Sequence, residues 1–160
     1  MPIRNNFVRD ANNQISSAAL SIAGAVTPVE IHVPQAIAQV LEQQNRPIPA
    51  AVTGLALIDT GASSTCAQES SLTSLGLNPI SVVSSGTAAG VVQHNVYPGR
   101  LVFPTHGWNL DVARLTGVDL SGQMIPVTPP QQLLVLVGRD ILENTILIWN
   151  GPAGEWTITW

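Results

Sequence analysis

The chain alternates between short apolar segments and turns that contain glycine or proline. Residues 29–33 alternate apolar and polar side chains, which is typical of a half-buried β-strand. Residues 51–58 are mostly apolar and predict a buried strand, and residues 133–137 are continuously apolar, so we expect burial on both faces there. Residues 35–44 have apolar side chains three and four positions apart, a spacing that favours a short helix or a long loop excursion.

Two pairs of strands are separated by turn-forming residues and therefore predict hairpins. Strands at 80–83 and 91–97 flank residues 84–90, whose small side chains we interpret as a flexible hairpin tip. Strands at 146–149 and 156–160 flank a turn of glycine and proline. The remaining predicted elements are strands at 101–103, 110–115 and 118–120 and helical turns at 70–76 and 141–144. These short elements predict an all-β domain.

The N-terminal residues differ from the rest of the chain. Residues 1–14 are polar and aperiodic, which predicts a loose tail. Residues 15–26 are apolar but rich in serine and alanine, so they resemble a signal peptide only weakly. The alternatives are a strand or short helix at the edge of the domain, or a segment that is trimmed. We therefore divide the chain into residues 1–28, a tail or edge segment, and residues 29–160, one domain.

Composition excludes several classes of protein. Of the 160 residues, 45% are apolar and only 10% are charged, so the chain is not disordered. The net charge is -4 and the six basic residues, all arginine, are scattered, which argues against a nucleic-acid partner. No apolar run approaches the roughly 20 residues that span a bilayer. We expect no membrane partner and a cytoplasmic location, with secretion or a periplasmic location as the alternative.

The cysteine and histidine residues predict neither a metal site nor a cofactor. Cys66 is the only cysteine, so it forms neither an internal disulfide nor a cysteine-based zinc site, and we expect it to pack in the core. His32, His94 and His106 are far apart in sequence and lack the spacing of paired metal ligands on a helix.

Asp59 is the strongest candidate for a catalytic residue. It follows a predicted buried strand, where a carboxylate is costly unless it is paired or hydrogen-bonded. Gly61 permits a tight turn, and the small side chains at residues 62–64 leave room for a ligand in front of the carboxylate. An ordinary turn that begins with aspartate is the simpler alternative.

Three segments resemble retropepsin-like aspartic proteases, the single-domain relatives of retroviral proteases, including bacterial members. Residues 56–63 are similar to the catalytic loop of the family. Residues 86–90 lie where the family has its flap, and residues 136–142 resemble its second hydrophobic-glycine signature and the short helix that follows. The resemblance covers about residues 29–160 and implies a closed-barrel-like all-β fold with a flap hairpin and one short helix.

The resemblance also implies roles for individual residues. Asp59 corresponds to the catalytic aspartate, the Thr60 hydroxyl to the group that locks two catalytic loops together, and the Gly61 carbonyl to a group presented to substrate. Gly138 and Arg139 correspond to structural residues near the site. The positions implied to contact substrate are Ala62, Ser63, Gly86, Thr87, Ala88, Ala89 and Gly90.

Aspartic proteolysis needs two carboxylates that share one proton. The other aspartates (Asp10, Asp111, Asp119 and Asp140) lack the pattern that surrounds Asp59, so the second carboxylate is expected from Asp59 of a second chain, in a two-fold homodimer. The ionised member takes a proton from water, and the protonated member polarises the scissile carbonyl of an extended peptide or protein substrate. The wall candidates Ala62, Val91, Val92 and Val127 predict a preference for apolar side chains around the cleaved bond.

The sequence departs from the family in three places. Ser63 and Ser64 stand where retroviral enzymes often have acidic residues that pair with the arginine of the third segment. Arg139 therefore needs another partner, such as Asp140 or a second chain. Residues 35–46 exceed a minimal first hairpin, and the terminal hairpin at 150–160 puts the dimer interface of the family in doubt. The alternative function is a retropepsin-like module that dimerises or binds peptide with little or no catalysis.

Overall fold

A computed structural model describes residues 2–87, 90–127 and 129–160, and within them strands predominate. The strands are β1 (Ile3–Phe7), β2 (Val26–His32), β3 (Val52–Ile58), β4 (Cys66–Gln68), β5 (Ser81–Thr87), β6 (Gly90–Phe103), β7 (Trp108–Val118), β8 (Met124–Ile125), β9 (Gln131–Val137), β10 (Ile146–Asn150) and β11 (Glu155–Thr159). The helices are α1 (Ser17–Ala23), α2 (Gln35–Gln43), α3 (Glu69–Ser74) and α4 (Arg139–Leu142), with a 3₁₀ turn at Gly151–Ala153. The all-β prediction is confirmed.

Six strands close into a barrel. The order is β2, β3, β9, β4, β7 and β6, and β6 pairs again with β2 to complete the ring. The β3–β9 and β4–β7 pairs are parallel, and the other pairs in the ring are antiparallel. Closure leaves no free edge around the ring. The barrel expected from the sequence is therefore present. The predicted strand at 110–115 belongs to the single long strand β7, whereas the predicted strand at 118–120 is wrong beyond Val118, where β7 ends.

The β9 strand is part of the barrel wall, where it lies between β3 and β4. Leu133, Leu134, Val135 and Val137 are all buried, so both faces of the strand lie in the core, as its continuous apolar run predicts. The strand ends at Gly138, where the chain enters α4. Because β3 runs parallel beside it, the two strands deliver Asp59 and Gly138 to the same end of the barrel.

The β5–β6 hairpin extends from the barrel. Its ladder runs from the Ser81–Val96 pair to the Thr87–Gly90 pair. The predicted hairpin is therefore confirmed, but residues 84–87, which were predicted as part of its tip, belong to strand β5. Pairing uses only backbone groups, so the small side chains of this segment do not prevent it. Ala88 and Ala89 lie outside the described residues.

The N-terminal residues form an edge strand rather than a loose tail. β1 pairs with β11 along its whole length, and β11 also pairs with β10, which gives a separate three-stranded antiparallel sheet, the terminal sheet. Pairing with β11 thus makes residues 3–7 a strand, although the aperiodic sequence of residues 1–14 does not predict one. The division of domains at residue 28 stays a prediction, and β2 runs across it.

The described residues contain four α-helices, although the resemblance implies one. Helices α2, α3 and α4 coincide with predicted helical segments or turns, and α1 lies in the segment for which a short helix was one alternative. The Ser16 hydroxyl caps α1 by accepting a hydrogen bond from the Ala19 amide at 3.2 Å. Leu20 on this helix is fully buried, which holds it against the core. No helix within the described ranges has the length and apolar character needed to cross a membrane.

Candidate active site

Asp59 stands at the end of β3 with its carboxylate half-buried. Its backbone amide donates to the Val137 carbonyl at 2.9 Å, which continues the contact between the two parallel strands. Its Oδ1 accepts hydrogen bonds from the amides of Gly61 at 2.9 Å and Ala62 at 3.3 Å. A Cβ at position 61 would lie 3.1 Å from this oxygen, so glycine leaves the carboxylate room in the turn. The turn fixes one carboxylate oxygen through backbone donors.

Gly138 brings β9 against the loop that follows Asp59. A Cβ at this position would lie 2.4 Å from the Ser64 carbonyl carbon and 2.8 Å from the Thr65 nitrogen, so only glycine fits here without a shift of the backbone. The Gly138 amide donates to the fully buried Thr65 hydroxyl at 3.0 Å. This hydroxyl donates in turn to Oδ1 of Asp140 at 2.8 Å, and Oδ2 of Asp140 accepts from the Thr65 amide at 2.9 Å.

Arg139 binds the backbone of the loop itself. Its Nη1 donates to the carbonyls of Thr60 at 2.7 Å and Gly61 at 3.1 Å, and its amide donates to the Ala62 carbonyl at 3.0 Å. Carbonyl groups thus replace the acidic partner that the sequence lacks. The Gly61 carbonyl, which the resemblance assigns to substrate, has one of its two lone pairs engaged by this arginine in the single chain.

A groove of about 740 Å³ lies between this loop and the β5–β6 hairpin. Gly61 and Ala62, the second and third residues after Asp59, form one wall, together with the two serines that follow them. Residues of β5, β6 and β7 form the opposite wall and the floor. The groove therefore begins two residues beyond Asp59 in the chain, at the loop that this residue opens.

The structure brings some of the predicted site residues together and separates others. Ala62, Ser63 and Gly86 line the groove, and Gly138 and Arg139 support the loop. Thr60 is exposed, and Gly90 begins β6 opposite Thr87 in the hairpin ladder. Ala88 and Ala89 are outside the described residues. Of the other wall candidates, Val91 and Val92 are exposed, and Val127 lines a different cavity of about 240 Å³ near Phe7.

Sequence reasoning did not assign Cys66, His94, Arg114 and Thr116 to the groove, although all four line it. The ladder explains their position, since Cys66 and Val96 are both register partners of Thr116. Side chains two residues apart on a strand share a face, so Arg114 and His94 lie on the same side of the sheet as these partners. The alternation of side chains along β6 and β7 identifies these groove residues only when the pairing of the strands is known.

Burial raises the pKa of the Cys66 thiol, and the negative charges of Asp140 and Asp59 raise it further. The thiol is therefore protonated at neutral pH, and its sulfur donates weakly to the Ser64 carbonyl at 3.5 Å. The expected core position is only partly observed, because this side chain is half-buried at the groove. A protonated thiol is a poor nucleophile, which leaves the carboxylate of Asp59 as the candidate catalytic group.

The histidines lie in three separate places. The Nε2 atom of His32 lies 2.8 Å from Oε2 of Glu30, that of His94 lies 2.8 Å from the Ser85 hydroxyl, and that of His106 lies 2.8 Å from the Thr27 hydroxyl. Among residues 2–87, 90–127 and 129–160, no three His, Cys, Asp or Glu side chains come together as metal ligands would.

Comparison with known proteins gives one similar structure. No family model matches the chain, and no curated protein matches it. The solution structure of a simian foamy virus (mac) protease is similar with a TM-score of 0.39 and 17% identity, and the alignment covers 73% of this chain and 92% of that one. A similarity at this level carries no argument about activity. The function must be argued from the residues of the chain itself.

Proposed function

We propose that the chain is a retropepsin-like aspartic endopeptidase that acts as a homodimer, with Asp59 of each copy in one shared active site. The observation that carries the proposal is the support of the Asp59 loop. The segment Gly138–Asp140 hydrogen-bonds to Thr60, Gly61, Ala62 and Thr65, and the supported loop forms a wall of the 740 Å³ groove. Such support is what catalysis requires of a group whose position decides the rate.

Two carboxylates about 3 Å apart hold one proton between them, because both cannot be ionised at that distance. The ionised carboxylate accepts a proton from a water molecule, whose oxygen then bonds to the carbonyl carbon of the peptide. The protonated carboxyl donates a hydrogen bond to the carbonyl oxygen as negative charge develops there. The C–N bond then breaks, and the departing nitrogen receives a proton from the carboxyl pair.

The arrangement of the other aspartates supports a second copy as the source of the second carboxylate. Asp140 is engaged by Thr65, Asp111 by Arg100 at 3.2 Å, and Asp119 caps its own turn through the Ser121 amide at 2.8 Å. Asp10 accepts from the Asn12 and Gln14 amides in the N-terminal turn. Each of these four carboxylates thus has partners within the fold, and none of the four stands in the turn that follows β3.

The terminal sheet offers an apolar surface for the second copy. In the β1–β11–β10 register, Ile3 and Ile146 both pair with Thr159, and Ile148 and Asn5 both pair with Thr157, so these side chains share one face. The three isoleucines are exposed, with fractional exposures of 65%, 54% and 56%, and Phe7 two positions further along the same face is also exposed. Contiguous exposed apolar surface of this kind is typical of interaction sites.

The hairpin supplies a surface for an extended peptide. β5 is the last strand in its sheet, so its outer edge offers backbone donors and acceptors beside the groove. An added strand binds through these backbone groups, while alternate side chains enter the groove. The proposed substrate is therefore an extended peptide or protein segment.

Cleavage of a diverse peptide library tests the activity directly. The wild type is expected to cleave peptides, and Asp59→Asn, which keeps size and hydrogen-bonding capacity but cannot accept the proton, is expected to lose at least about a thousand-fold of the rate. Asp119→Asn, on an exposed turn away from the loop, is the matched control and should cleave normally. Equal cleavage by wild type and Asp59→Asn would overturn the proposed mechanism.

Self-association is tested separately by sedimentation. The double variant Ile146→Thr, Ile148→Thr keeps residues with high strand propensity but removes apolar surface. Its dimer should therefore have a higher dissociation constant than the wild-type dimer. If wild type cleaves nothing and still binds peptides as a dimer, the chain is the binding module that the sequence left as the alternative.

A further inference from the structure

We propose that Arg114 makes the groove select peptides with an acidic side chain, glutamate or aspartate, at one position near the cleaved bond. This inference rests on the proposed function, because it concerns the substrate of the same site. It differs from the apolar preference expected from the sequence. Of the residues on which that preference was based, Ala62 lines the groove, whereas Val91, Val92 and Val127 do not. The argument depends on where Arg114 lies, on what charges surround it and on what its side chain contacts.

The position of Arg114 follows from the sheet. Thr116 is the register partner of Cys66 on β4 and of Val96 on β6, and it lines the groove between them. Arg114 precedes it by two residues on β7, in the stretch where the β6–β7 register shifts, and it lines the same groove. Asp140 lines the groove as well.

Two ionisable side chains that line the groove with Arg114, namely Asp140 and His94, are already engaged. Asp140 accepts from the Thr65 amide, the Thr65 hydroxyl and the Ile141 amide, so its two oxygens face donors of the loop and of α4. His94 shares a hydrogen bond with Ser85 across the hairpin. These groups have partners that a substrate would have to displace.

Arg114 contrasts with Arg100 and Arg139, whose side chains have partners in the fold. Arg100 binds Asp111 and Gln35, and Arg139 binds the Asp59 loop. Within the described ranges, the Arg114 side chain makes no hydrogen bond or ion pair. An exposed guanidinium with five donors that faces a peptide-sized groove is suited to a carboxylate, which it can bind through two parallel hydrogen bonds.

The expected selectivity is small but measurable. Exposed ion pairs are worth about 0.2–1 kcal/mol, which corresponds to roughly a 1.4-fold to 5-fold preference. Salt screens such a pair, so the preference should decrease as ionic strength rises. Glutamine gives the natural comparison because it has nearly the same shape as glutamate, carries no charge and cannot accept two parallel hydrogen bonds from a guanidinium.

The experiment uses a peptide that the wild-type protein cleaves, in versions that carry glutamate or glutamine at each position on either side of the cleaved bond in turn. The measured quantity is the ratio of kcat/KM for each glutamate and glutamine pair. At one position the wild type should prefer glutamate by about two-fold to five-fold at low salt. Arg114→Gln should bring this ratio close to one, and Arg114→Lys should retain part of it.

The control is Arg46→Gln, which removes an equal charge from an exposed loop outside the groove and should leave the wild-type ratio in place. A wild-type ratio near one at every position, or a ratio that persists in Arg114→Gln, would overturn the inference while the proteolytic function stands. If no peptide is cleaved, the same pairs are compared by fluorescence anisotropy for binding to wild type and Arg114→Gln. Loss of a glutamate preference in the variant would then support Arg114 as the selecting residue, and its absence would count against it.

Discussion

The two walls of the groove are held in place by different kinds of contact. The Asp59 loop is fixed by hydrogen bonds from Gly138, Arg139 and Asp140 and by a backbone approach that only glycine allows. The β5–β6 hairpin is held by its own ladder, and its outward side chains, such as Val82 and Val91, are largely exposed. The Asp59 loop is thus bound to the end of β9 and to α4, whereas the hairpin is held mainly by the hydrogen bonds between its own two strands.

This difference separates positioning from adjustment. Segments with few buried contacts open at a lower free-energy cost than segments that are tied to the core. In the proposed function, the loop holds the reactive carboxylate in a fixed place, and the hairpin moves to admit a peptide and closes against it. Changes to the loop should affect folding and rate, and changes to the hairpin should affect mainly the binding of substrate.

A pair of glycine substitutions gives the largest expected contrast. At Gly138 the added methyl group of alanine meets the Ser64 backbone at 2.4 Å, whereas at Gly86 it meets nothing within 4 Å. Gly138→Ala should therefore lower the free energy of unfolding by about 3 kcal/mol or more, and Gly86→Ala should change it by less than about 0.5 kcal/mol. Urea denaturation of both variants measures this difference, and equal losses would contradict the contrast between the walls.

Thr65→Val removes the hydroxyl that joins Gly138 to Asp140 while keeping the shape of the side chain. The buried Gly138 amide loses its acceptor, so the free energy of unfolding should fall by about 2 kcal/mol. Thr73→Val is the control, because its hydroxyl bonds the Ser70 carbonyl at an exposed position. A loss at position 65 no larger than at position 73 would show that this bridge does not anchor the loop.

Acid should loosen the barrel from a region outside both walls. Burial lowers the pKa of His106, and the positive charge of Arg4 lowers it further, within a group of aromatic rings that includes Trp156 and Trp160. A lowered pKa in the folded state means that the stability is present above the unfolded value of about 6.5 and is lost as the pH falls below it. The melting temperature should therefore fall from pH 7.5 to pH 5.

The matched variants isolate the histidine that is responsible. The fall in melting temperature should be smaller in His106→Phe, which cannot take up a proton, than in the wild type. In His32→Asn, which changes a half-buried histidine on β2, the fall should match the wild type. An unchanged pH dependence in His106→Phe would assign the acid sensitivity to other groups.

The smallest expected effect is a change in the reactivity of Cys66 when the negative charge of Asp59 is removed. Because the charge of Asp59 contributes to the raised pKa of Cys66, Asp59→Asn should give a modest increase in the rate of alkylation of this thiol by iodoacetamide at pH 8. Mass spectrometry measures the rate, with Asp119→Asn as the control. A slower reaction in Asp59→Asn than in the control would contradict the electrostatic contact between the two residues.

The barrel strands and the position of Asp59 could be predicted because they depend on local pattern. The run at residues 133–137 predicts a buried strand, and the turn after residue 58 predicts a hydrogen-bonded carboxylate with small residues beside it. The edge strand at residues 3–7 could not be predicted, since its order comes from pairing with β11 more than 140 residues away along the chain. The residues around positions 3–7 do not indicate which distant strand they pair with.

The groove residues were missed for the same reason. Arg114 and His94 line the groove because β7 and β6 pair with Thr116 opposite Val96, and a shift of one residue in either strand would place its side chains on the opposite face. The partners of Arg139 could not be predicted either, because backbone carbonyl groups are present at every residue. Motifs indicated the candidate catalytic residue, and long-range pairing decided which residues surround the groove beside its loop.

Mixing of subunits tests the central claim, that two copies of Asp59 form one active site. Wild type and Asp59→Asn are combined at a constant total concentration and allowed to exchange, and the rate of peptide cleavage is measured as the proportion changes. If one site needs Asp59 from both chains, an equal mixture has about one quarter of the activity of wild type alone, because only one dimer in four is fully wild type. An activity of about one half would show that each chain acts independently and would contradict the shared site.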